Sequence, residues 1–411
     1  MPTQDRSSSP RGGIRAFSGL GWPAPEGGPA AGLGWPVSRE TWPGARIGSQ
    51  SAEPVQSNAQ VPSEQVVVSR ETGDAGRAAT EDDETRQQLS DTIPQAGADT
   101  PLARSIANDA RRRIALSGRQ FAKPARTRVL TVANQKGGVG KTTTTVNIAA
   151  AMAQSGLKVL VVDLDPQGNA STALGIEHHA EVPSVYDVLL DGTALADVIA
   201  ESPSVPGLFC APATIDLAGA EIELVSVVAR ETRLARAITA HTKATDFDYV
   251  LIDCPPSLGL LTINAFVAAA EVFIPIQCEY YALEGLSQLL KNIQLIRDHL
   301  NPDLRVSTIL LTMYDGRTRL SAQVAEEVRT HFPEQVLRTT VPRSVRISEA
   351  PSFGETVMTY DPTSSGALAY LEAAGEIAAR GTAPAPDGQE CGSQTSTLGR
   401  GPGSDRTRAG G

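Results

Sequence analysis

The sequence predicts an α/β fold, in which a doubly wound, mostly parallel sheet carries helices on both faces. From residue 127 onward, short apolar runs alternate with segments of helical periodicity, as expected of strands joined by crossover helices. A glycine-rich loop at 134–143 separates the first apolar run from the first helical segment. Aspartates follow two further apolar runs, at the edge where such sheets bind their ligands.

Each element is predicted from its own pattern. Apolar runs predict strands at 129–133, 158–163, 249–253, 271–276, 305–311 and 336–341. Apolar residues at helical spacing predict helices around 142–155, 184–200, 217–241, 257–270, 282–300, 319–331 and 363–380. Because helices separate the strands, the strands can run parallel and be covered on both faces.

The predicted folded part is smaller than the 411 residues of the chain. Residues 1–60 are rich in Gly, Pro, Ser and Ala, and their Trp-Pro pairs contain every tryptophan of the chain. Such composition buries too little apolar surface to offset chain entropy. We therefore predict a disordered Gly/Pro-rich and then acidic tail over 1–100, a basic amphipathic helix and linker over 101–126, one α/β domain over 127–380, and a disordered tail over 381–411.

The segment before the domain has a helical pattern of its own. Leu102, Ile106, Ala110 and Ile114 recur at helical spacing. Arginines surround them at positions 104, 111, 112, 113 and 119. Contact with nucleic acid, contact with a membrane surface and packing on the domain all remain open for this helix.

Charge and cysteine content narrow the class of protein. A net charge of −10 argues against a globally basic nucleic-acid binder but allows a local basic patch. The four cysteines lack C-x-x-C spacing, so neither a zinc site nor an iron–sulfur cluster is indicated. No signal peptide is visible, and no apolar run reaches the ~18–20 residues of a membrane span. We expect a cytoplasmic protein without stable membrane insertion.

The loop at 134–143 has the context of a phosphate-binding loop, since it lies between a strand and a helix. Glycines let backbone N–H groups turn toward phosphate oxygens, and the helix N-terminus adds partial positive charge. Lys141 is expected to reach the β- and γ-phosphates, and the Thr142 hydroxyl to ligate Mg²⁺. The general pattern requires a glycine at position 135, where this chain has Gln135, and a second lysine, Lys136, opens the glycine run.

Three aspartates complete the predicted site. Asp253 ends a strand, where it is placed to hold Mg²⁺, and Asp163 ends another and is expected to assist. Asp165 lies just beyond the strand that Asp163 ends, where it can orient or deprotonate the attacking water. Singly, each aspartate is also compatible with a helix cap or turn, but three at strand ends of one sheet favour a site.

The combination of these motifs resembles the ParA/Soj family of chromosome-partitioning ATPases. The matching stretches are 136–142 (KGGVGKT), 163–169 (DLDPQGN), 253–257 (DCPPS), 275–285 (PIQCEYYALEG), 341–351 (VPRSVRISEAP) and 360–362 (YDP). The first has the deviant Walker A form of the wider ParA/MinD group of P-loop NTPases. The resemblance covers roughly 127–380, and implies that this range is a ParA-type ATPase domain with ATP and Mg²⁺ as cofactors.

The resemblance also implies individual roles. Lys136 matches the signature lysine that crosses a dimer interface to the partner's nucleotide, and a side chain at Gly137 would obstruct that sandwich. Asp165 matches the aspartate that hydrolysis requires, so Lys136 and Asp165 are the implied catalytic residues. The nucleotide-binding set is Lys136, Gly137, Gly138, Val139, Gly140, Lys141, Thr142 and Thr143, and the metal set is Thr142, Asp163 and Asp253.

The implied cycle begins with ATP-dependent homodimerisation and non-specific binding of double-stranded DNA. A ParB-type centromere-binding protein then stimulates hydrolysis, which releases the dimer from DNA. Arginines in two regions form the DNA-binding surface of similar proteins, and the corresponding residues here are Arg317, Arg319, Arg343 and Arg346. Phosphate contacts require only such a local cluster, whatever the net charge. The implied location is cytoplasmic and nucleoid-associated.

A MinD-like membrane-cycling ATPase, which positions a cell-division or other complex, is the alternative, since it shares the loop. Such proteins end in a basic amphipathic helix. The last thirty residues of this chain are instead rich in Gly, Pro, Ser and Thr, which counts against that alternative. The segment 101–119 is the only candidate replacement for the membrane-binding helix.

Overall fold

The computed structural model describes residues 101–116 and 118–382. The predicted disorder of 1–100, and of 381–411 beyond residue 382, lies outside these residues. The strands are β1 (Arg128–Val132), β2 (Val159–Asp163), β3 (Ala200–Glu201), β4 (Leu208–Ala211), β5 (Tyr249–Asp253), β6 (Glu271–Gln277), β7 (Arg305–Tyr314) and β8 (Val336–Pro342).

Helices connect and cover these strands. The α-helices are α1 (Pro101–Leu116), α2 (Lys141–Gln154), α3 (Asn169–Ala173), α4 (Val185–Leu190), α5 (Leu195–Val198), α6 (Leu217–Glu223), α7 (Arg233–Ala244), α8 (Leu260–Ala268), α9 (Ala282–His299), α10 (Arg319–His331), α11 (Val345–Glu349), α12 (Val357–Tyr360) and α13 (Ser365–Thr382). Short 3₁₀ turns span Leu224–Ser226, Arg230–Thr232 and Ala350–Phe353.

The sheet confirms the predicted fold class. Its order is β3-β4-β2-β5-β1-β6-β7-β8, and every neighbouring pair is parallel except β3–β4. The phosphate-loop strand β1 therefore lies near the centre, between β5 and β6. Because the strands are parallel, their carboxyl ends meet at one edge, where a ligand can contact several of them.

Two apolar layers hold the sheet between its helices. On one face, Val146, Ile148 and Met152 of α2 pack with Tyr370 and Ile377 of α13. On the other face, the buried side chains of α4 and α6–α10 form a second cluster, which includes Val188, Leu234, Leu261, Leu286 and Val324. The helix α2 that follows the phosphate loop is thus fixed along its length by the core.

A buried ion pair links three strands and the last helix. Arg128 of β1 donates to Glu271 of β6 at 2.9 and 2.7 Å. The same guanidinium donates to the Tyr249 hydroxyl of β5 at 3.2 Å and to the Ile377 carbonyl of α13 at 2.8 Å. Each of these donors finds an acceptor, so the buried charge is compensated.

The structure corrects two predicted helices. The segment 184–200 contains α4, α5 and the start of β3, because Gly192 takes a left-handed conformation with φ 76° and ends the helical run. The segment 217–241 contains α6, two 3₁₀ turns and the start of α7, since Ala229 between the turns has φ 54°. The pattern also missed the short strand β4 and the short helices α3, α11 and α12.

Candidate nucleotide-binding site

The loop between β1 and α2 is fixed at its start by Asn134. The buried amide of this side chain donates to the Pro275 carbonyl of β6 at 2.8 Å, and its oxygen accepts from the Lys136 N–H at 3.0 Å. Gly138 and Gly140 then take left-handed conformations, with φ 74° and 88°, which glycine adopts at no steric cost. The loop can therefore turn sharply before α2.

The end of the loop opens on a small cavity. Helix α2 begins at Lys141, directly after Gly140. The first N–H groups of a helix have no acceptor within it, and they favour an anion beside them. The cavity measures about 250 Å³ and is lined by Gly137, Gly138, Gly140, Lys141, Thr142, Thr143, Asp165, Asn169, Pro256 and Met313.

Gly137 differs from the other two glycines of the loop. Its φ lies outside the left-handed region, and a Cβ built on it would meet no described atom within 4 Å. Neither backbone conformation nor packing within the described chain requires glycine here.

Lys141 is buried at the start of α2. Burial lowers the pKa of its ammonium, while the negative charge of Asp253 opposes that shift. The charge of Asp253, at the end of β5, therefore favours the protonated form of Lys141.

Asp253 and Asp163 face each other at the ends of neighbouring strands. They are register partners across β2 and β5, and both are fully buried. Burial raises the pKa of each carboxyl, and the charge of Asp163 raises the pKa of Asp253 further. Two buried carboxyls in register favour either protonation of one of them or a cation beside the pair.

The two carboxylates have different partners. Asp163 accepts the Asp165 N–H at 3.1 Å on one oxygen, and the N–H and hydroxyl of Ser171 at 2.9 and 2.8 Å on the other. Asp253 accepts the Thr145 hydroxyl at 3.0 Å on Oδ1. Its Oδ2 is buried with no hydrogen-bond partner among the described residues.

This unpaired oxygen fits a bound magnesium ion. Mg²⁺ is held in nucleotide sites by one or two carboxylates, a hydroxyl, water and phosphate oxygens. Asp253 Oδ2 would supply the carboxylate oxygen and Thr142 the hydroxyl. In the part of the chain described here, no group of three or more His, Cys, Asp or Glu side chains is arranged to hold a metal.

Asp165 lies on the cavity wall, just beyond β2. Its carboxylate accepts the Gln167 N–H at 3.1 Å, and its carbonyl accepts the Gly168 N–H at 2.9 Å. Gly168 has φ 63° and would place a Cβ 2.7 Å from the His178 ring. The turn therefore holds Asp165 toward the cavity by local hydrogen bonds.

Lys136 points away from that cavity. Its Nζ lies 2.7 Å from Glu279 Oε2, just after β6, and both side chains are more than one third exposed. Lys136 also lines a hollow of about 510 Å³ against the start of α9, with Tyr281, Glu284 and Lys291. Within one chain, Lys141 thus lines the cavity at the loop, whereas Lys136 lines the hollow beside α9.

The four predicted DNA-binding arginines fall into two places. Arg317 and Arg319 follow β7, and Arg343 and Arg346 follow β8, so all lie near the carboxyl edge of the sheet. Arg317 donates twice to Asp315, at 2.9 Å each. These hydrogen bonds lower the pKa of Asp315, and the charge of Arg343 contributes to the same shift.

Arg346 has two acidic neighbours. It lies 3.2 Å from Glu349 and 3.5 Å from Asp361. The guanidinium is still about half exposed, so an incoming phosphate can reach it. Arg317 is thus paired with Asp315, whereas Arg346 lies beside a different pair of carboxylates.

Several residues of the site were not predicted from the sequence. Thr145 and Ser171 hold the two buried aspartates, and Met313 lines the cavity with a φ of 49°. A residue other than glycine at positive φ is strained and often marks a functional position. The run of four threonines at 142–145 could have indicated Thr145, whereas no pattern marks Met313.

Sequence comparisons identify the family. A protein-family model described as an AAA domain matches residues 127–306. The sporulation initiation inhibitor protein Soj of Bacillus subtilis is 54% identical over 254 residues, which are 62% of this chain and 99% of the relative. The chromosome partitioning protein ParA of Caulobacter vibrioides is 50% identical over 62% of this chain and 94% of its own. This chain belongs to the ParA/Soj family of chromosome-partitioning ATPases.

Solved structures resemble this ParA/Soj chain in fold. The crystal structure of cobyrinic acid a,c-diamide synthase from Mycobacterium smegmatis, with bound ADP and magnesium, is 41% identical over 61% of this chain and 94% of its own, with a TM-score of 0.53. The cell division ATPase MinD of Pyrococcus furiosus is 27% identical over 61% of this chain and 98% of its own, with a TM-score of 0.50. Among the described helices of this chain, none is long and apolar enough to span a membrane.

Proposed function

We propose that this chain is an ATP-driven switch for partitioning chromosomal or plasmid DNA. ATP and Mg²⁺ occupy the cavity at the phosphate loop, and the ATP-bound chain forms a sandwich dimer that binds double-stranded DNA without sequence preference. A ParB-type centromere-binding protein stimulates hydrolysis, and the dimer then dissociates and leaves the DNA. The protein works in the cytoplasm, on the nucleoid.

One observation carries the ATPase part of this proposal. Asp165 shares one cavity with the phosphate loop, and the buried Asp253 beside that loop has an unpaired oxygen for Mg²⁺. A residue that orients water must lie within reach of the γ-phosphate. The wall position of Asp165 meets that requirement, whereas Lys141, Thr142 and Asp253 hold the phosphates and the metal.

The proposed dimer is supported by Lys136 and Gly137, at the start of the phosphate loop. Lys136 points out of its own cavity toward the start of α9, and its ion pair with Glu279 is exposed, so a second copy can compete for its charge. The described chain itself does not require a glycine at Gly137. A close approach by a partner's nucleotide would supply the missing requirement, because any side chain there would stand between the two copies.

DNA binding is supported by the exposed arginines at the carboxyl edge, Arg317, Arg319, Arg343 and Arg346. Each phosphate contact releases counterions, so a few arginines on each of two copies give a salt-dependent affinity. Their acidic neighbours, Asp315 and Asp361, hold the guanidinium groups in place without burying them.

Two other functions are less well supported. A MinD-like membrane cycle requires a helix with a free apolar face, but the apolar residues of α13, such as Tyr370, Ala374 and Ile377, are buried in the core. A diamide-synthase activity, after which the Mycobacterium smegmatis protein is named, rests on 41% identity, compared with 54% to Soj.

Light scattering tests the switch directly. The purified chain is measured with Mg²⁺ and ATP, with ADP, and without nucleotide, and ATP turnover is followed in the same samples. We expect a dimer with ATP, a monomer with ADP, and phosphate release at a rate that DNA and the ParB-type protein increase. A chain that hydrolyses ATP but keeps one mass in all three states would contradict the sandwich dimer.

A further inference from the structure

The helix α1 lies outside the residues that match the family model, 127–306, and it is strongly basic. Residues 101–126 contain seven Arg and Lys residues and one Asp, which gives a formal charge of +6 in a chain whose total is −10. The rest of the chain therefore carries −16. So large a local excess of positive charge favours an anionic partner.

α1 is docked on the domain by specific contacts. Arg112 donates to Glu372 of α13 with both sides of its guanidinium, at 2.6 Å for Nε. Arg113 donates to the carbonyls of Pro362, at 3.1 Å, and of Thr363. The arginine-rich end of α1 is thereby fixed on the surface near the start of α13.

That docking position lies beside one of the proposed DNA-binding arginines. Arg346 contacts the Asp361 carboxylate at 3.5 Å, and Arg113 contacts the carbonyl of the next residue, Pro362. Two guanidinium groups from distant parts of the sequence therefore bracket residues 361–363. A carbonyl neutralises no charge, so Arg113 keeps its full positive charge there.

The groove between α1, β8 and α13 is positive for a related reason. It measures about 930 Å³, and its charged lining residues are Arg112, Arg119, Arg338, Glu372 and Glu376. Glu372 is neutralised by Arg112, and Glu376 accepts the N–H groups of Arg338 and Thr339 at 2.9 Å each. Glu376 also lies 3.9 Å from the Arg338 guanidinium. The groove therefore carries one excess positive charge, that of the exposed Arg119.

We propose that α1 extends the DNA-binding surface of this chain, with Arg113 and Arg119 contacting the phosphate backbone of double-stranded DNA next to Arg343 and Arg346. The inference rests on the proposed function, since it adds contacts to the same DNA complex. It gives the segment before the ATPase domain a role that does not depend on the phosphate loop.

The structure favours DNA over a membrane surface as the partner of α1. A helix that lies on a membrane buries its apolar face in lipid. Here Ala110 and Ile114 are partly covered by the domain, and Ile106 is the large apolar side chain of the described part of α1 that is mostly exposed. The described part of α1 therefore exposes more charged than large apolar side chains to a partner.

The test compares full-length variants on a random-sequence duplex, with ATP and Mg²⁺, over a salt series. R113A/R119A removes two positive charges from α1 and the segment that follows it. R113K/R119K keeps both charges. R236A/R297A removes two exposed charges from α7 and α9, on the opposite face of the sheet, and is the matched control. ATP turnover without DNA, which should not change, shows that each variant folds.

The slope of log affinity against log salt decides the outcome. Each lost phosphate contact lowers its magnitude by about 0.9, so R113A/R119A should lose about 1.8 per chain, while R113K/R119K and R236A/R297A keep the wild-type slope. Equal slopes for R113A/R119A and R236A/R297A would overturn the inference.

The inference would also be overturned if R113A/R119A bound DNA normally but bound anionic vesicles less well than the wild-type chain, because α1 would then contact a membrane. If the wild-type chain binds no DNA with any nucleotide, the proposed function itself fails.

Discussion

Lys136 Nζ lies 2.7 Å from Glu279 Oε2, across 143 residues of sequence. Glu279 also accepts a hydrogen bond from Gln277 at the end of β6, so the carboxylate is held in place while the lysine reaches out to it. Because both side chains of the pair are more than one third exposed, the ion pair is worth only about 0–1 kcal/mol. Lys136 can therefore exchange Glu279 for a stronger anion, such as the phosphates of a partner's nucleotide.

This exchange predicts unequal effects of the two side chains. Lys136→Ala should reduce ATP turnover by about 1,000-fold or more, as expected when a cation that stabilises phosphoryl transfer is removed. Glu279→Gln should change turnover by less than about fivefold, since only a weak pair is lost. Steady-state phosphate release measures both. Lys291→Ala, which removes a lysine from the same hollow, is the control. If Lys291→Ala reduced ATP turnover as much as Lys136→Ala, the effect would not be specific to Lys136.

Asp165 is predicted to act in hydrolysis and not in binding. Asp165→Ala should still form the ATP-dependent dimer, because the phosphate loop is intact, but turnover should fall by about 100-fold or more, the usual contribution of a general base. Light scattering and phosphate release on the same sample separate the two effects. Asp246→Ala changes an exposed aspartate between α7 and β5 and should leave both unchanged. Normal turnover in Asp165→Ala would remove this residue from the mechanism.

The paired aspartates should respond in opposite ways to the same substitution. Burial and Asp163 raise the pKa of Asp253, so folding must either protonate this carboxyl or bury its charge. Asp253→Asn removes that cost, and the nucleotide-free chain should melt at a higher temperature, by about 2–4 °C for each kcal/mol gained, while Mg²⁺-dependent nucleotide binding is lost. Asp163→Asn should instead destabilise the fold by about 1–3 kcal/mol, because an amide cannot accept all three hydrogen bonds from Ser171 and Asp165.

Thermal melts and nucleotide titrations of the two variants, with and without Mg²⁺, test this contrast. The assignment of Asp253 to the metal would be wrong if Asp253→Asn bound nucleotide with the wild-type response to Mg²⁺. If Asp163→Asn melted at the wild-type temperature, the hydrogen bonds of Asp163 to Asp165 and Ser171 would not contribute to stability.

The Arg128–Glu271 pair predicts a pH-dependent contribution to stability. Burial opposes ionisation of Glu271, but the hydrogen bonds and charge of Arg128 outweigh burial, so the pKa of Glu271 lies below its ordinary 4.5. A carboxyl whose pKa is depressed on folding stabilises the protein above the unfolded-state pKa, and loses that contribution as the pH falls through the folded-state pKa. Glu271→Gln should therefore cost about 3–5 kcal/mol near neutral pH, because it leaves Arg128 buried without its partner.

Denaturant unfolding at neutral pH and at ~pH 3 measures this contribution. The difference between wild type and Glu271→Gln should shrink at the lower pH. Glu334→Gln, an exposed position before β8, should have little effect at either pH. A constant difference between wild type and Glu271→Gln at both values would show that Glu271 is not ionised in the folded chain.

The parts of the fold that could be predicted from the sequence are local ones. The loop at 134–143 and Asp253 at the end of β5 are recognisable because strand, glycine and carboxylate follow one another within a few residues. The central strands were found because buried parallel strands are continuous apolar runs. β4 was missed because it has only four residues, Leu208–Ala211.

Other parts of the structure depend on contacts between residues that are far apart in the sequence, which no short sequence pattern can predict. Glu279 meets Lys136, and Glu372 meets Arg112, across 143 and 260 residues. The helix predicted over 217–241 is broken at Ala229, where neither glycine nor proline is present to mark the turn. The docking of α1 on α13 was likewise left open by its periodicity, since an amphipathic pattern does not say what covers the apolar face.

The most direct measurement is the affinity of the wild-type chain for a random-sequence duplex, determined with ATP, with ADP and without nucleotide over a salt series, alongside Arg346→Glu. A partitioning switch should bind DNA only with ATP, with an affinity that falls steeply with salt, and Arg346→Glu should bind more weakly while hydrolysing ATP normally. DNA binding that is equal in all three nucleotide states, or absent from all of them while ATP promotes binding to liposomes, would contradict the proposed cycle.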